Sequence, residues 1–151
     1  MKQLSVVAIL FILLSCSSHE NNFDSKVQTV YSSHVNNLDN KVQTVEFHYI
    51  MWFCACANWA TIEDIHKYQD TGKLSAHCVF IEPANKSLML PDTIGYTDDI
   101  VQFTGQYYID KGYPKGFVIS EEQVKKAMIF RYTSYKIIKS NYSKFMHDKE
   151  E

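Results

Sequence analysis

A chain of 151 residues carrying 15 Lys and Arg against 17 Asp and Glu, net charge −2, has room for one small domain and not two. Its cations are thinly spread, with Lys125-Lys126 the densest pair, which excludes the basic stripe of a nucleic-acid binder and the polybasic patch of a membrane-surface protein. Aromatic residues at 14%, ten Tyr and nine Phe among them, supply enough bulk for a real core.

The first element is an address. Met1-Lys2-Gln3 precedes a run from Leu4 to Leu14 that is apolar except for Ser5. Such a run is too short to cross a bilayer, which takes about 20 residues, and has the layout of a secretory signal peptide. Its close, Leu13-Leu14-Ser15-Cys16, resembles the lipobox of bacterial lipoproteins. The resemblance implies removal of residues 1–15, acylation of Cys16 and a chain tethered by its N-terminus in a bacterial envelope. Ser17 after the cysteine resembles the outer-membrane default, with the domain facing the periplasm. The alternative is an ordinary secretion signal in which Cys16 is incidental. A lipid on Cys16 leaves Cys54, Cys56 and Cys78, an odd set with one surplus thiol.

Residues 17–31 and 32–46 are a tandem copy, sharing Ser-Ser-His-x-Asn-Asn-x-Asp-x-Lys-Val-Gln-Thr-Val. A doublet this short is no solenoid. Its Asn, Ser and Asp content reads as a flexible tether over residues 16–42. The second copy runs into the domain, so Val42 and Val45 are expected to begin the first strand, and the first copy is a spare strand start with nowhere to pair.

From Gln43 the apolar pattern has mainly period two. Gln43 to Phe53 reads as one long strand, with Val45, Phe47, Tyr49, Met51 and Phe53 on one face and His48, Ile50, Trp52 and Cys54 on the other. Thr61 to Asp70 reads as a short helix capped by Thr61. His77 to Glu82 is a second strand, Pro83-Ala84-Asn85 turns the chain, and Ser87 to Leu90 returns. Asp99 to Ile109 alternates, with Val101, Phe103, Tyr107 and Ile109 inward and Gln102, Thr104 and Gln106 outward. Gly105 interrupts the inward row, which marks a bend or bulge. Lys111 to Gly116 is a loop. Ser120-Glu121-Glu122-Gln123 has capping-box spacing and opens a helical turn through Lys126. Ala127 to Lys139 is the last strand, carrying Met128, Phe130 and Tyr132 on one face, and residues 141–151 form a polar tail.

The expected fold is therefore all-β over residues 43–140, a small five-stranded antiparallel barrel with one or two short helices. The Val-x-Phe-x-Gly-x-Tyr strand at Val101 to Tyr107 resembles the corresponding strand of OB-fold lipoproteins, which implies an OB-like barrel. In that fold the helix usually lies between the third and fourth strands, whereas the better helix signal here lies between the fourth and fifth. The Cys-x-Cys-x-x-Trp run at Cys54 to Trp59 resembles a class of small bacterial lipoproteins, a resemblance that brings no activity with it.

That run is also where chemistry is most concentrated. On an extended strand Cys54 and Cys56 face one side with Cα atoms about 6.5–7 Å apart, at the upper end of disulfide geometry. The pair is therefore expected not to bridge, and one member to bridge Cys78 on the next strand. Cys54, Cys56, Cys78 and His77 also supply four ligands for Zn or Cu(I), although His77 and Cys78 point oppositely on a strand. Buried inert thiols are a third reading, and thiol redox chemistry a fourth, although Cys-x-Cys on a strand differs from the Cys-x-x-Cys of thioredoxins. No zinc-protease helix, phosphate-cradling loop or nucleophile elbow occurs. Asp98-Asp99 and Glu121-Glu122 read as solvated charge at element ends, and His48 and His66 as structural or surface residues. Trp59, Tyr107, Tyr108 and Tyr113 are either an aromatic ligand surface or core packing. The expected function is a membrane-anchored, non-catalytic binding or assembly module without a cofactor, its partner an envelope protein or small ligand. The alternative is a soft-metal (Cu or Zn) or thiol-redox protein using the Cys-x-Cys motif.

Overall fold

The computed structural model describes residues 37–52, 54–96, 98–118 and 124–142. The signal segment, Cys16, the first repeat copy, the capping box at Ser120 to Gln123 and residues 143–151 lie outside the described residues.

Five strands form one sheet: β1 (Gln43–Tyr49), β2 (Trp59–Ala60), β3 (Phe80–Pro83), β4 (Ile100–Tyr107) and β5 (Ile129–Lys139). Helix α1 (Ile62–Tyr68) and three 3-10 turns accompany it among the described residues. The strand order is β2-β1-β4-β5-β3, and the sheet curls into a half-barrel. Neighbours are antiparallel except β3 and β5, which run parallel. The expected all-antiparallel barrel is thus corrected to a mixed sheet.

The physical reason lies after β3. Residues Lys86–Leu88 form a 3-10 turn, capped by Asn85 Oδ1 accepting the Ser87 N–H at 3.0 Å, instead of a returning strand. The chain therefore leaves β3 without a hairpin, and β3 docks beside the distant β5 in the same direction. The fifth strand is instead β2, two residues long, which begins at the last residue of the Cys-x-Cys-x-x-Trp run. β1 ends at Tyr49, short of the expected Phe53; the Ile50 N–H still donates to Asn58 O at 2.8 Å in line with the β1–β2 pairing, and the chain bends at residues 54–56.

Thr61 caps α1 as expected, its hydroxyl accepting the Asp64 N–H at 3.1 Å. The helix runs on through a 3-10 turn to Gly72, whose φ of 67° ends it. Residues 124–126 are not helical; they lead straight toward β5, where Ala127 exchanges backbone hydrogen bonds with Gly112.

Alternation along the strands loads both faces of the sheet. The first face collects Phe47, Trp59, Val79, Val101, Phe103, Phe130 and Tyr132, with Phe47 against Phe130 and Trp59 against Phe103 at ring separations of 5.5 Å. Met128 and Tyr107 pack at its margin. Ile109, expected inward, is 59% exposed, because β4 pairing stops at Tyr107 and Ile109 donates to Asn37 O instead. The second face carries Ala60, Cys78, Phe80, Tyr108 and Ile129. Ile50, Trp52 and Ala55 of the β1–β2 loop and Tyr113 and Phe117 of the β4–β5 loop pack over it.

Gly105 sits at the expected irregularity. The β4–β5 register shifts between Thr104 and Gly105, which is the bulge that bends the strand. The two edges of the curl then meet at one point, where Trp59 and Val79 exchange backbone hydrogen bonds of 2.8 and 3.3 Å.

Candidate functional site

The second face runs from an aromatic core into a polar cleft at the end of β3. Phe80 and Glu82 alternate onto this face, as do Ile129 and Arg131, and the parallel register sets Glu82 directly beside Arg131. Tyr108, just past β4, is held there by its N–H donating to Ile129 O at 3.0 Å. Its hydroxyl donates to Glu82 Oε1 at 2.8 Å, and the Lys115 N–H donates to Glu82 Oε2 at 2.8 Å. Glu82 is only 6% exposed; a carboxylate so placed is tolerable only when hydrogen-bonded. It thereby ties the β4–β5 loop to the sheet edge. Arg131 Nη2 donates to Ala84 O at 3.2 Å, fixing the turn that follows β3. These groups and the apolar side chains of Leu38, Pro83 and Met89 line an open cleft of about 800 Å³, inside the range of about 300–1,000 Å³ typical of small-molecule sites.

Comparison with known protein families, with curated proteins and with solved structures finds no match for this chain. The site therefore has to be read from its own chemistry.

Of the four aromatic candidates only Tyr108 lines the cleft. Trp59 is buried in the first-face core, edge-on to Tyr49 at 5.2 Å. Tyr107 packs edge-on against Phe130 at 4.9 Å on that same face. Tyr113 is buried on the second face, stacked on Phe117 at 5.3 Å with its hydroxyl donating to Val124 O. The four side chains are thus divided between two faces and form no common surface.

The cysteines pair differently from expectation. Cys54 and Cys56 are bonded to each other, with an S–S distance of 2.07 Å and Cα atoms 5.3 Å apart, while Cys78 is unbonded and buried. The expectation assumed an extended strand, but β1 has already ended and residues 54–56 form a bend. The bend shortens the Cα separation into the ordinary disulfide range. His77 is stacked flat on Tyr68, ring centres 3.5 Å apart. The four-ligand metal set is accordingly not assembled: two of its thiols are used in the bond. Among the described residues no group of three or more His, Cys, Asp and Glu is placed to hold a metal, and no helix is long and apolar enough to cross a membrane.

Asp99, expected to be solvated, is wholly buried. Glu82, Arg131, Lys115 and Asp99 are what sequence reasoning missed. The signal was present for two of them. In Val79-Phe80-Ile81-Glu82 and Phe130-Arg131-Tyr132 a single charge interrupts apolar residues within a strand.

Burial raises four weak acids in this domain. The Cys78 thiol is pushed up to about 11, with the Trp52 indole beside it pulling the other way. Tyr108 is pushed up to about 12 by burial and then by its hydrogen bond to Glu82, while Arg131 opposes. Tyr107 and Tyr132 also reach about 12, again chiefly by burial. Each group ionises at higher pH in the folded chain than at its ordinary 9.0 or 10.0. Their contribution to stability is complete below about pH 9 and is lost as pH rises through 11 and 12. The melting temperature is therefore expected to drop steeply from pH 9 to 12. Combining Cys78→Ala with Tyr108→Phe should flatten that drop; a profile flat in the wild type contradicts it.

Proposed function

We propose that this chain is a lipid-anchored protein of a bacterial envelope whose domain is a non-catalytic binding module, with the cleft between Glu82, Tyr108 and Arg131 as its ligand site. The observation that carries the binding reading is the cleft itself, a mostly apolar space with a few polar groups fixed by strand register and buried hydrogen bonds. Preorganised polar groups in an apolar wall are what small-molecule sites generally present.

An OB-like barrel is the architecture we propose for the module. Taking the Trp59–Val79 bridge as the β2–β3 contact, the order β4-β1-β2-β3 is that of a Greek key. Adding β5 between β4 and β3 makes a five-stranded, partly open barrel of the kind described for OB-folds. Those folds commonly use the β1–β2 and β4–β5 loops for ligands. Here both loops pack onto the second-face core, so the ligand site moves to the open end of β3.

Anchorage rests on Leu13-Leu14-Ser15-Cys16. A metabolic fatty-acid probe is expected to label the protein in its native cells and to be lost in Cys16→Ala, with the variant released from the membrane fraction. Label retained by Cys16→Ala refutes the anchor.

A further inference from the structure

We propose that the cleft takes an aliphatic monocarboxylate, its head group paired with Arg131 and its chain laid along Leu38, Pro83 and Met89. This rests on the cleft being the ligand site and adds the chemical class of the ligand. Three cations, Lys86, Lys115 and Arg131, line the cleft against one carboxylate, Glu82. That carboxylate accepts from the Tyr108 hydroxyl and the Lys115 N–H and offsets only one of the three charges, so the lining stays net positive.

Arg131 is half-buried, and the bond to Ala84 O is its side chain's one hydrogen bond among the described residues. A guanidinium offers five N–H donors in a planar fork. Half-buried at the wall of the cleft and with most of that fork unused, it is matched by an anion able to accept two parallel bonds. A carboxylate does so with a single charge. The choice against a doubly charged phosphate comes from Glu82, held in register on the neighbouring strand about 4.8 Å away by ordinary strand spacing. Its carboxylate opposes a second negative charge. The apolar walls supply the rest of the recognition: Met89 is 66% exposed, and an unbranched thioether side chain adapts readily to an aliphatic partner.

The test is an NMR titration of the full chain carrying Cys16→Ala, which holds no lipid, with octanoate, octanol, octyltrimethylammonium and octyl phosphate in separate experiments. Octanoate is expected to shift the Arg131 Nε–H and the backbone N–H groups of Ala84 and Gly116, and to bind more tightly than the other three. Arg131→Met should weaken octanoate by about tenfold or more, the scale of a lost charge-assisted pair, and leave octanol unchanged. Arg131→Lys, which keeps the charge and loses the fork, should recover only part of that loss. Equal binding of octanol or the ammonium overturns the anion while leaving the cleft as a ligand site. Tighter binding of octyl phosphate overturns the carboxylate. Unchanged octanoate affinity in Arg131→Met overturns the pairing. Shifts at the cleft from none of the four overturn both this inference and the ligand site on which it rests.

Discussion

Gly105→Ala is expected to be the most damaging single substitution in the domain, costing about 4 kcal/mol or more. A Cβ at this position would lie 2.1 Å from Arg131 O, 2.7 Å from Tyr132 Cα and 2.9 Å from Arg131 C. All three atoms belong to the backbone of β5, so no side-chain rotation relieves the clash. Relief requires β4 and β5 to separate at the bulge, in the middle of a ladder that runs from Ile100↔Lys139 to Tyr107↔Phe130. The strain falls on Phe103 and Tyr132, whose rings lie 4.8 Å apart and are almost fully buried. It also falls on Arg131, whose carbonyl is the nearest atom met. With domain stabilities generally near 5–15 kcal/mol, the variant should lose from about a quarter to about four-fifths of the wild-type urea midpoint, or fail to fold. An alanine variant within about 1 kcal/mol of wild type contradicts the close approach of the two strands.

That glycine was also among the most legible features of the sequence. A residue with no side chain in the centre of Val101 to Tyr107 has few explanations in a strand, and the bulge is one. Other local signals carried through for the same reason. Thr61 reaches only Asp64, and the face shared by Val45, Phe47 and Tyr49 needs only the pleat, although Met51, read onto the same face, lies beyond β1 and is exposed. What stayed hidden depends on contacts between distant segments. Period two says which residues share a face, but not that Phe80 to Pro83 will run alongside Ile129 to Tyr132 in parallel. Without that register Glu82 and Arg131 are two unrelated charges, and the cleft does not exist. The disulfide stayed hidden for a local reason: the apolar run continues to Phe53 and reads as strand through Cys54, whereas β1 ends at Tyr49 and residues 54–56 form a bend. The second face was underestimated as well. Its covering residues, Tyr113 and Phe117, come from a loop whose glycines and proline advertise a turn and say nothing of what it packs on.

Asp99→Ala is expected to cost about 3–5 kcal/mol and to loosen the end of the sheet opposite the cleft. Asp99 Oδ2 accepts the N–H groups of Gly95 and Tyr96, each at 2.9 Å, and Oδ1 accepts the Asn141 N–H at 2.6 Å. One fully buried carboxylate thus holds the loop entering β4 and the chain leaving β5 together. Its own carbonyl accepts the Tyr49 N–H at 2.8 Å, closing the end of β1 onto the same point. Asp98, immediately before, sits at a φ of 68°, a left-handed conformation that Asp adopts more readily than most L-residues, so the loop residue suits the turn that delivers Asp99. Alanine removes the acceptor of three part-buried backbone donors, and each unmet group costs roughly 1–3 kcal/mol; access of water to the donors keeps the total below the simple sum. Asp99→Asn keeps the volume but turns an NH₂ toward at least one N–H donor, so about 2 kcal/mol is expected. Urea denaturation gives the magnitude, and amide hydrogen exchange gives the place: Gly95, Tyr96 and Asn141 should exchange faster, while Tyr108 and Ile129 at the cleft end change only with global stability. Asp99→Ala within about 1 kcal/mol of wild type, or acceleration spread evenly over both ends, contradicts the clamp. Because the clamp and the cleft occupy opposite ends of β4 and β5, a folded Asp99→Asn protein should retain whatever the cleft binds. This substitution therefore separates loss of stability from loss of the site.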